Sequence, residues 1–178
     1  MIDWDPVSKI DPVHVEEKPI PVLRRVTRKR LVVACKGTDL ASLRDTAIIM
    51  VLIDIGLRLG ELAGLDYAED EQNSDVDYYV LEVLGKGGRR WAAPFGNTAG
   101  LALERYVRKR NHVLRAARLP VDGPLWISVK RNGRLTGSGI AIMLDRRCAQ
   151  AGIAHINPHR FRHIFTREWR LGTATRPI

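Results

Sequence analysis

Hydrophobic and polar residues alternate along this chain mainly with the period of an α-helix. The stretch 41–55 is apolar on nearly every side, which predicts a helix buried at the centre of a domain. Apolar residues three and four positions apart predict further helices over 27–34, 98–115 and 138–152, and one that starts at Pro158. The residues predicted to cap the starts of these helices are Thr27, Thr98, Ser138 and Asn157.

Two shorter runs have the composition of β-strands. Residues 78–84 and 90–95 are rich in strand formers, and the glycine-rich segment Gly85–Gly88 between them predicts a hairpin turn. The acidic stretch 66–77 predicts a polar loop. The predicted fold class is therefore mainly α with a small antiparallel β-sheet, an α+β architecture.

Chain length and proline content predict how the chain is divided. With 178 residues it is long enough to bury one sizeable core. Residues 1–25 contain four prolines and show little periodicity, which predicts an N-terminal arm or interdomain linker, and residues 26–178 then form the domain.

The sequence contains features that bear on membrane insertion, secretion and disulfide formation. The longest apolar run, 47–53, is far too short to cross a bilayer, and the acidic N-terminus lacks the apolar core of a secretory signal. Cys35 and Cys148 have no metal-ligand spacing and are interpreted as free thiols in a reducing compartment, with a single disulfide left open. We expect a cytoplasmic protein without a membrane partner.

Charge is distributed unevenly along the sequence. The formal net charge is +9, yet residues 61–82 contain eight acidic and no basic residues, and residues 83–178 contain 19 basic and four acidic ones. A basic half beside an acidic patch favours one face that binds a polyanion such as nucleic acid. A solvated basic surface on an ordinary protein is the alternative.

Two basic residues lie beside glycines, where a backbone can approach a ligand closely. Arg58 follows the predicted central helix between Gly56 and Gly60, and an arginine held there favours a bound anion; an ion pair with Glu61 is equally compatible. Lys86 occupies the tip of the predicted hairpin, where it either reaches a ligand or is a solvated turn residue.

A third basic site opens the last predicted helix. His159 and Arg162 are three residues apart and share a face of the first turn, where backbone N–H groups and the helix dipole favour a phosphate. A metal site is an alternative because His155, His159 and His163 recur every four residues, but Pro158 interrupts the helix between the first two.

The acidic stretch suggests a second metal alternative. A two-metal nuclease site could be built from its carboxylates, which belong to Asp66, Glu69, Asp70, Glu71, Asp75 and Asp77. The stretch has no EF-hand spacing and lies in a predicted polar loop, so a solvated acidic surface is the preferred interpretation.

Three segments in this order resemble the catalytic domain of the tyrosine recombinases, the phage integrase family. Gly56–Leu62 with Leu65 is similar to the first arginine box of the family, Gly85–Arg90 with Pro94 to its lysine hairpin, and Pro158–His163 with Phe165 and Thr166 to its His-x-x-Arg box. The resemblance extends from about Val22 to Gly172. It implies an integrase-like DNA breaking-rejoining fold and a function in DNA integration or other site-specific DNA recombination.

The resemblance also implies a mechanism and roles for individual residues. In the family a tyrosine attacks a DNA phosphodiester, and the phosphotyrosine link is later reversed by a free hydroxyl, without a metal or small-molecule cofactor. Arg58 and Arg162 would clamp the phosphate, Lys86 would protonate the leaving oxygen, and His159 would manage the proton of the nucleophile. Glu61 and His163 match supporting positions. Double-stranded DNA and further recombinase protomers are the implied partners.

The sequence departs from the family pattern after the His-x-x-Arg box. The family's nucleophilic tyrosine follows the second arginine, whereas the four tyrosines here (Tyr67, Tyr78, Tyr79 and Tyr106) all precede Arg162. We therefore expect a chain truncated before its nucleophile, which binds DNA and does not cleave it. A non-catalytic DNA-binding module or decoy derived from a recombinase is the alternative function.

Overall fold

The structure is a computed structural model that describes residues 24–69, 76–77, 80–85 and 87–170. Residue 77 and residues 168–170 are described by their backbone alone. The predicted N-terminal arm lies outside this part of the chain except for its last two residues, so the division at residue 25 stays a prediction.

Six helices and five short strands make up the described part. The helices are α1 (Arg25–Val33), α2 (Leu40–Ile55), α3 (Leu59–Ala63), α4 (Asn97–Ala116), α5 (Gly137–Gln150) and α6 (Pro158–Arg170). The strands are β1 (Asp66–Tyr67), β2 (Val76–Asp77), β3 (Val80–Leu84), β4 (Arg90–Pro94) and β5 (Gly123–Pro124). The predicted fold class, mainly α with a small antiparallel sheet, is confirmed.

Helix α2 is the centre of the core, as its apolar sequence predicts. Ala47, Ile48 and Leu52 are completely buried, and α1, α4 and α6 all pack against this helix. Asp39 caps the start of α2, because its Oδ1 accepts a hydrogen bond from the Ser42 N–H at 3.0 Å. The other end of α2 leads directly into the first predicted basic site.

The strands form two antiparallel sheets. In the larger one β3 lies between β2 and β4, with Val80 opposite Pro94 and Leu84 opposite Arg90, which confirms the predicted hairpin. Strand β1 pairs with β5 in a separate two-stranded sheet. The prediction that 66–77 is entirely a loop is therefore wrong at both ends, since β1 and β2 occupy them; residues 70–75 lie outside the described part.

Three predicted helix caps are wrong. Thr27 lies inside α1, and Thr98 lies inside α4, whose N-cap is Gly96. Helix α5 is capped by Thr136, whose hydroxyl accepts from the Gly139 N–H at 3.2 Å, rather than by Ser138. In each case the N-cap lies two or three residues earlier than the sequence pattern predicts.

The two cysteines are buried free thiols, so the alternative of a disulfide between them is not realised. Burial raises the pKa of both thiols. Among the helices described, none is long and apolar enough to cross a membrane.

Candidate phosphate-binding site

The first arginine turn begins where α2 ends. Gly56 closes the helix in the left-handed conformation (φ 67°, ψ 38°), and its N–H donates to the Leu52 carbonyl at 3.1 Å. A Cβ at this position would lie 2.8 Å from Cβ of Phe165 and 3.1 Å from Cα of Arg162. Position 56 therefore requires glycine for two reasons. The backbone has a positive φ, and the close approach of α6 leaves no room for a Cβ. This contact holds the segment that carries Arg58 against the turn that carries Arg162.

Arg58 is held by a buried carboxylate. It is the N-cap residue of α3, and Glu61 accepts hydrogen bonds from the Arg58 backbone N–H and from its Nη1, both at 2.8 Å. The predicted Arg58–Glu61 pair is thus present. The Glu61 side chain is only 6% exposed whereas that of Arg58 is 52% exposed. Glu61 therefore fixes one edge of the guanidinium, and its remaining N–H groups have no partner among the described residues.

Helix α6 starts as the sequence predicts. Asn157 precedes the helix, and its Oδ1 accepts from the His159 N–H at 3.0 Å while its carbonyl accepts from the Arg160 N–H at 2.8 Å. Pro158 occupies the first helical position, where a missing N–H costs nothing. His159 is exposed and Arg162 is half-buried one turn further along.

The opposite face of α6 anchors the helix to the core. Phe161 is 1% exposed and Ile164 5%, and the helix packs against α2. Phe161 and Ile164 are thus the inward positions of this helix. With its apolar face buried, α6 leaves His159 exposed and Arg162 half-buried, and the backbone of Arg162 lies beside the Gly56 turn.

The predicted lysine, Lys86, lies outside the described residues, but its flanks are described. The Gly85 N–H donates to the Arg89 carbonyl at 2.8 Å and closes the hairpin. Gly87 and Gly88 adopt φ angles of 82° and 77°, which favour glycine. Strand β3 also packs against α3, the helix that Arg58 begins. The hairpin is therefore next to the helix that follows Arg58, and the position of Lys86 itself stays a prediction.

The structure places four of the six predicted residues on two elements whose backbones approach each other at Gly56. Arg58 and Glu61 lie at the start of α3, and His159 and Arg162 lie in the first turns of α6, joined through Gly56. His163 is exposed on α6, and no contact of its side chain with the other four is seen among the described residues. A supporting role for His163 stays a prediction.

Neither metal alternative receives support in the part of the chain that is described, where no group of His, Cys, Asp and Glu residues could hold an ion. His155 contacts Asp145 instead of His159, with Nδ1 2.5 Å from Oδ1. In the acidic stretch Asp66 and Glu69 form ion pairs with Arg134 and Arg115. Asp70, Glu71 and Asp75, and the side chain of Asp77, lie outside the described residues.

Sequence reasoning missed a buried ionic cluster that connects α2 to α5. Asp45 is fully buried, and its carboxylate accepts hydrogen bonds from three arginines: Arg44 at 2.7 Å, Arg146 at 2.9 Å and Arg147 at 2.9 Å. The signal was available, because an Arg-Asp pair inside an otherwise apolar central helix must find buried partners. Its partners on α5 are more than 100 residues away and cannot be identified from local pattern.

A second missed group is the hydroxyl of Tyr106. This side chain is completely buried and stacks on Trp126, with ring centroids 5.3 Å apart. Its hydroxyl donates to the Leu125 carbonyl at 2.9 Å and accepts from the Ile127 N–H at 3.0 Å. Desolvation raises the pKa of Tyr106 to about 12. Tyr106 is thus a structural residue of the core.

Comparison with known proteins identifies the family of this chain. Residues 21–169 match the phage integrase family. The tyrosine recombinase XerD of Neisseria meningitidis serogroup B is 32% identical over 163 residues, which cover 90% of this chain and 53% of that protein. The tyrosine recombinase XerC of Corynebacterium efficiens is 35% identical over 122 residues, 67% of this chain and 36% of that protein.

Solved structures show the same fold. The crystal structure of XerA recombinase superposes with a TM-score of 0.66 at 28% identity, over 86% of this chain and 52% of that one. XerH recombinase in its pre-cleavage complex with difH substrate gives 0.65 over 94% of this chain and 48% of that one, and at 15% identity that likeness concerns the fold alone. This chain spans about half the length of these relatives or less. It belongs to the phage integrase family, and its fold is that of a tyrosine recombinase catalytic domain.

Proposed function

We propose that this chain binds duplex DNA and supplies the phosphate-binding groups of a site-specific recombination reaction. The observation that carries the proposal is the contact at Gly56, where the turn leading to Arg58 approaches the Arg162 backbone within van der Waals distance. The backbone segments that carry Arg58 and Arg162, from distant parts of the sequence, therefore lie next to each other. The recombinase relatives support the same assignment.

The proposed chemistry is stabilisation of charge on a DNA phosphate. Arg58 and Arg162 donate hydrogen bonds to the non-bridging oxygens, where negative charge increases as the phosphoryl group is attacked. Glu61 keeps the Arg58 guanidinium in place, so that little reorganisation is needed when the phosphate arrives. His159 accepts the proton of the attacking hydroxyl, and Lys86 donates one to the leaving oxygen.

We propose further that these 178 residues bind DNA without cleaving it through a phosphotyrosine. No tyrosine follows Arg162 in the sequence. Tyr106 is buried in the core, and the hydroxyl of Tyr67 accepts a hydrogen bond from Asn111 at 3.2 Å. Tyr78 and Tyr79 lie outside the described residues. Assembly with other recombinase protomers on DNA remains a further prediction.

The phosphate clamp is tested by DNA binding as a function of salt. Fluorescence anisotropy with a labelled random-sequence duplex gives the affinity of the wild type, Arg58→Ala, Arg162→Ala and Arg105→Ala, an exposed arginine of α4. Each clamp variant is expected to lose about tenfold in affinity and about one unit of salt slope, because one phosphate contact is removed. Arg105→Ala serves as the control and should change neither. If all three variants lost the same amount of DNA affinity and of salt slope, the proposed phosphate clamp would be contradicted.

Cleavage is tested separately on nicked duplexes of random sequence. After incubation and denaturing electrophoresis, the 178-residue chain is expected to form no covalent DNA adduct. An adduct that disappears in Tyr78→Phe or Tyr79→Phe would identify a nucleophile inside this chain and refute the cleavage-inactive interpretation. DNA binding with intact clamp dependence and no adduct would favour the alternative of a non-catalytic binding module for these residues.

A further inference from the structure

Helix α1 exposes an apolar stripe that nothing in the described chain covers. Val26 is 69% exposed and Val33 49%, and these two residues, seven positions apart, lie on one side of the helix. Lys29 and Arg30 lie between them along the same side and are also exposed. Exposed valines on a short cationic helix indicate a surface that is complementary to something both apolar and acidic.

The stripe is held in a fixed position on the domain. Leu31, on the other side of α1, is completely buried, and Arg30 Nη2 donates to the Ala151 carbonyl at 2.8 Å at the end of α5. One cleft of about 360 Å³ lies between α1 and the end of α5, and another of about 680 Å³ lies between α1 and the α2 residues Met50 and Ile53. Val26, Lys29 and Val33 line both clefts. The valines therefore form a ridge between two grooves.

Charge along the sequence indicates what fits this ridge. Residues 21–38 contain six basic residues and no acidic one. Residues 1–20, which lie outside the described part, contain five acidic and two basic residues together with eight apolar ones. This segment continues almost directly into α1, so a complementary partner is tethered next to the ridge at an effective concentration in the millimolar range.

We propose that residues 1–20 of the same chain dock on the α1 ridge. Their apolar side chains cover Val26 and Val33, and their carboxylates lie beside Lys29 and the neighbouring arginines. A DNA backbone would match the cations but has no counterpart for the two valines. A second copy of α1 would match the valines but would bring like charges together. The acidic, apolar N-terminal segment satisfies both requirements.

Hydrogen exchange of the full chain, read by mass spectrometry, tests this docking. Backbone amides of residues 1–20 should exchange about tenfold more slowly than in the free synthetic peptide 1–20, because docking protects them. Val26→Ser should remove most of this protection by deleting the apolar contact. Lys29→Glu should also reduce it, and high salt should weaken the protection in the wild type because the attraction between the charges is screened.

The matched control is Ile142→Ser on α5, since Ile142 is 68% exposed and Val26 is 69% exposed. Ile142→Ser should leave exchange of residues 1–20 unchanged, and exchange in α2 should be the same in all variants, which shows that the fold is intact. Three outcomes would overturn the proposal. These are exchange of residues 1–20 at the free-peptide rate, protection that rises with protein concentration together with dimer mass, and protection that is present only when duplex DNA is added.

Discussion

At the scale of single residues, the candidate site depends on Gly56 as much as on the arginines. Its left-handed backbone turns the chain from α2 into the segment of Arg58, and the absence of a side chain lets α6 approach. The neighbours on α6 are the Cα of Arg162 and the Cβ of Phe165, which cannot rotate away. A larger residue must therefore displace the helix that carries His159 and Arg162.

Gly56→Ala is expected to destabilise the protein and to weaken DNA binding together. The left-handed conformation costs an alanine about 1 kcal/mol or more, and the contact with Phe165 adds strain on top of this. Urea unfolding gives the stability change, and anisotropy with a duplex gives the affinity. We expect a loss of about 2 kcal/mol or more in the free energy of unfolding and a clear loss of affinity under conditions in which the variant is folded.

Gly60→Ala is the matched control for this prediction. Gly60 lies in α3, two residues after Arg58, and a Cβ there would meet nothing within 4 Å. Alanine also has the higher helix propensity, so stability should stay the same or rise by up to about 1 kcal/mol. If Gly60→Ala weakened DNA binding as strongly as Gly56→Ala, the spacing between α2 and α6 would not be the property that matters.

At the scale of elements, the Asp45 carboxylate joins α2 to α5. Three guanidinium groups surround one carboxylate at a fully buried position. Arg147 also donates a hydrogen bond from Nη1 to the Ala34 carbonyl at the end of α1, at 3.0 Å. A buried pair of this kind adds little stability relative to apolar residues, but breaking it leaves uncompensated charge in the core. The cluster therefore determines how α1, α2 and α5 fit together.

Asp45→Asn should lower the free energy of unfolding by about 3 kcal/mol or more, because it removes the only carboxylate seen in contact with the buried Arg44 and Arg147 and the exposed Arg146 in the described chain. Chemical denaturation measures the change. Asp145→Asn on α5 is the control: it removes an exposed carboxylate paired with His155 and should cost less than about 1 kcal/mol. If both variants lost a similar free energy of unfolding, burial of the Asp45 cluster would not be what makes it important for stability.

The local sequence pattern was sufficient to predict those helices and strands that are stabilised by nearby residues or that have a clear apolar face. Helix α2, the β3–β4 hairpin and the Asn157-Pro158 start of α6 all follow from it. Two of the failures, at the start of α4 and in the acidic stretch, involve distant partners. Gly96 is the N-cap of α4, and its N–H donates to Asp54 Oδ2 at 2.5 Å, across 42 residues of sequence. Strand β1 pairs with β5 across a still longer separation, as in Asp66 opposite Pro124. No local pattern contains these contacts.

The sequence predicted which residues belong to the candidate site but not how they are arranged in space. Motif spacing identified Arg58, Glu61, His159 and Arg162, and the ion pair between the first two was an explicit alternative. What sequence could not provide is the close approach of two motifs, since the glycine of one lies against the backbone of another more than 100 residues away. Such proximity arises from packing of α6 on α2.

At the scale of the whole molecule, Tyr106 and Cys35 are two of the titratable groups in the core that holds the helices together. Tyr106 connects α4 to the segment 125–127, and Cys35 lies beside the start of α2, with both side chains almost completely buried. Desolvation raises the pKa of the Cys35 thiol to about 11 and that of Tyr106 to about 12. Both groups must therefore stay neutral for the core to form.

Stability is consequently expected to fall at alkaline pH. The ordinary pKa values are 9.0 for the thiol and 10.0 for the phenol, so the unfolded chain releases these protons first as the pH rises. Their contribution is complete below about pH 9 and is lost as the pH rises toward the folded-state pKa values, at up to about 1.4 kcal/mol per pH unit for each group. Urea midpoints followed by tryptophan fluorescence measure this loss.

Two variants test which groups cause the loss. Tyr106→Phe lowers stability at neutral pH, because it leaves the Ile127 N–H and the Leu125 carbonyl unpaired. It should also flatten the decline in stability above about pH 10, because phenylalanine has no proton to release. Cys35→Ala should flatten the part between about pH 9 and 11, and a decline of unchanged slope in both variants would show that other groups cause it.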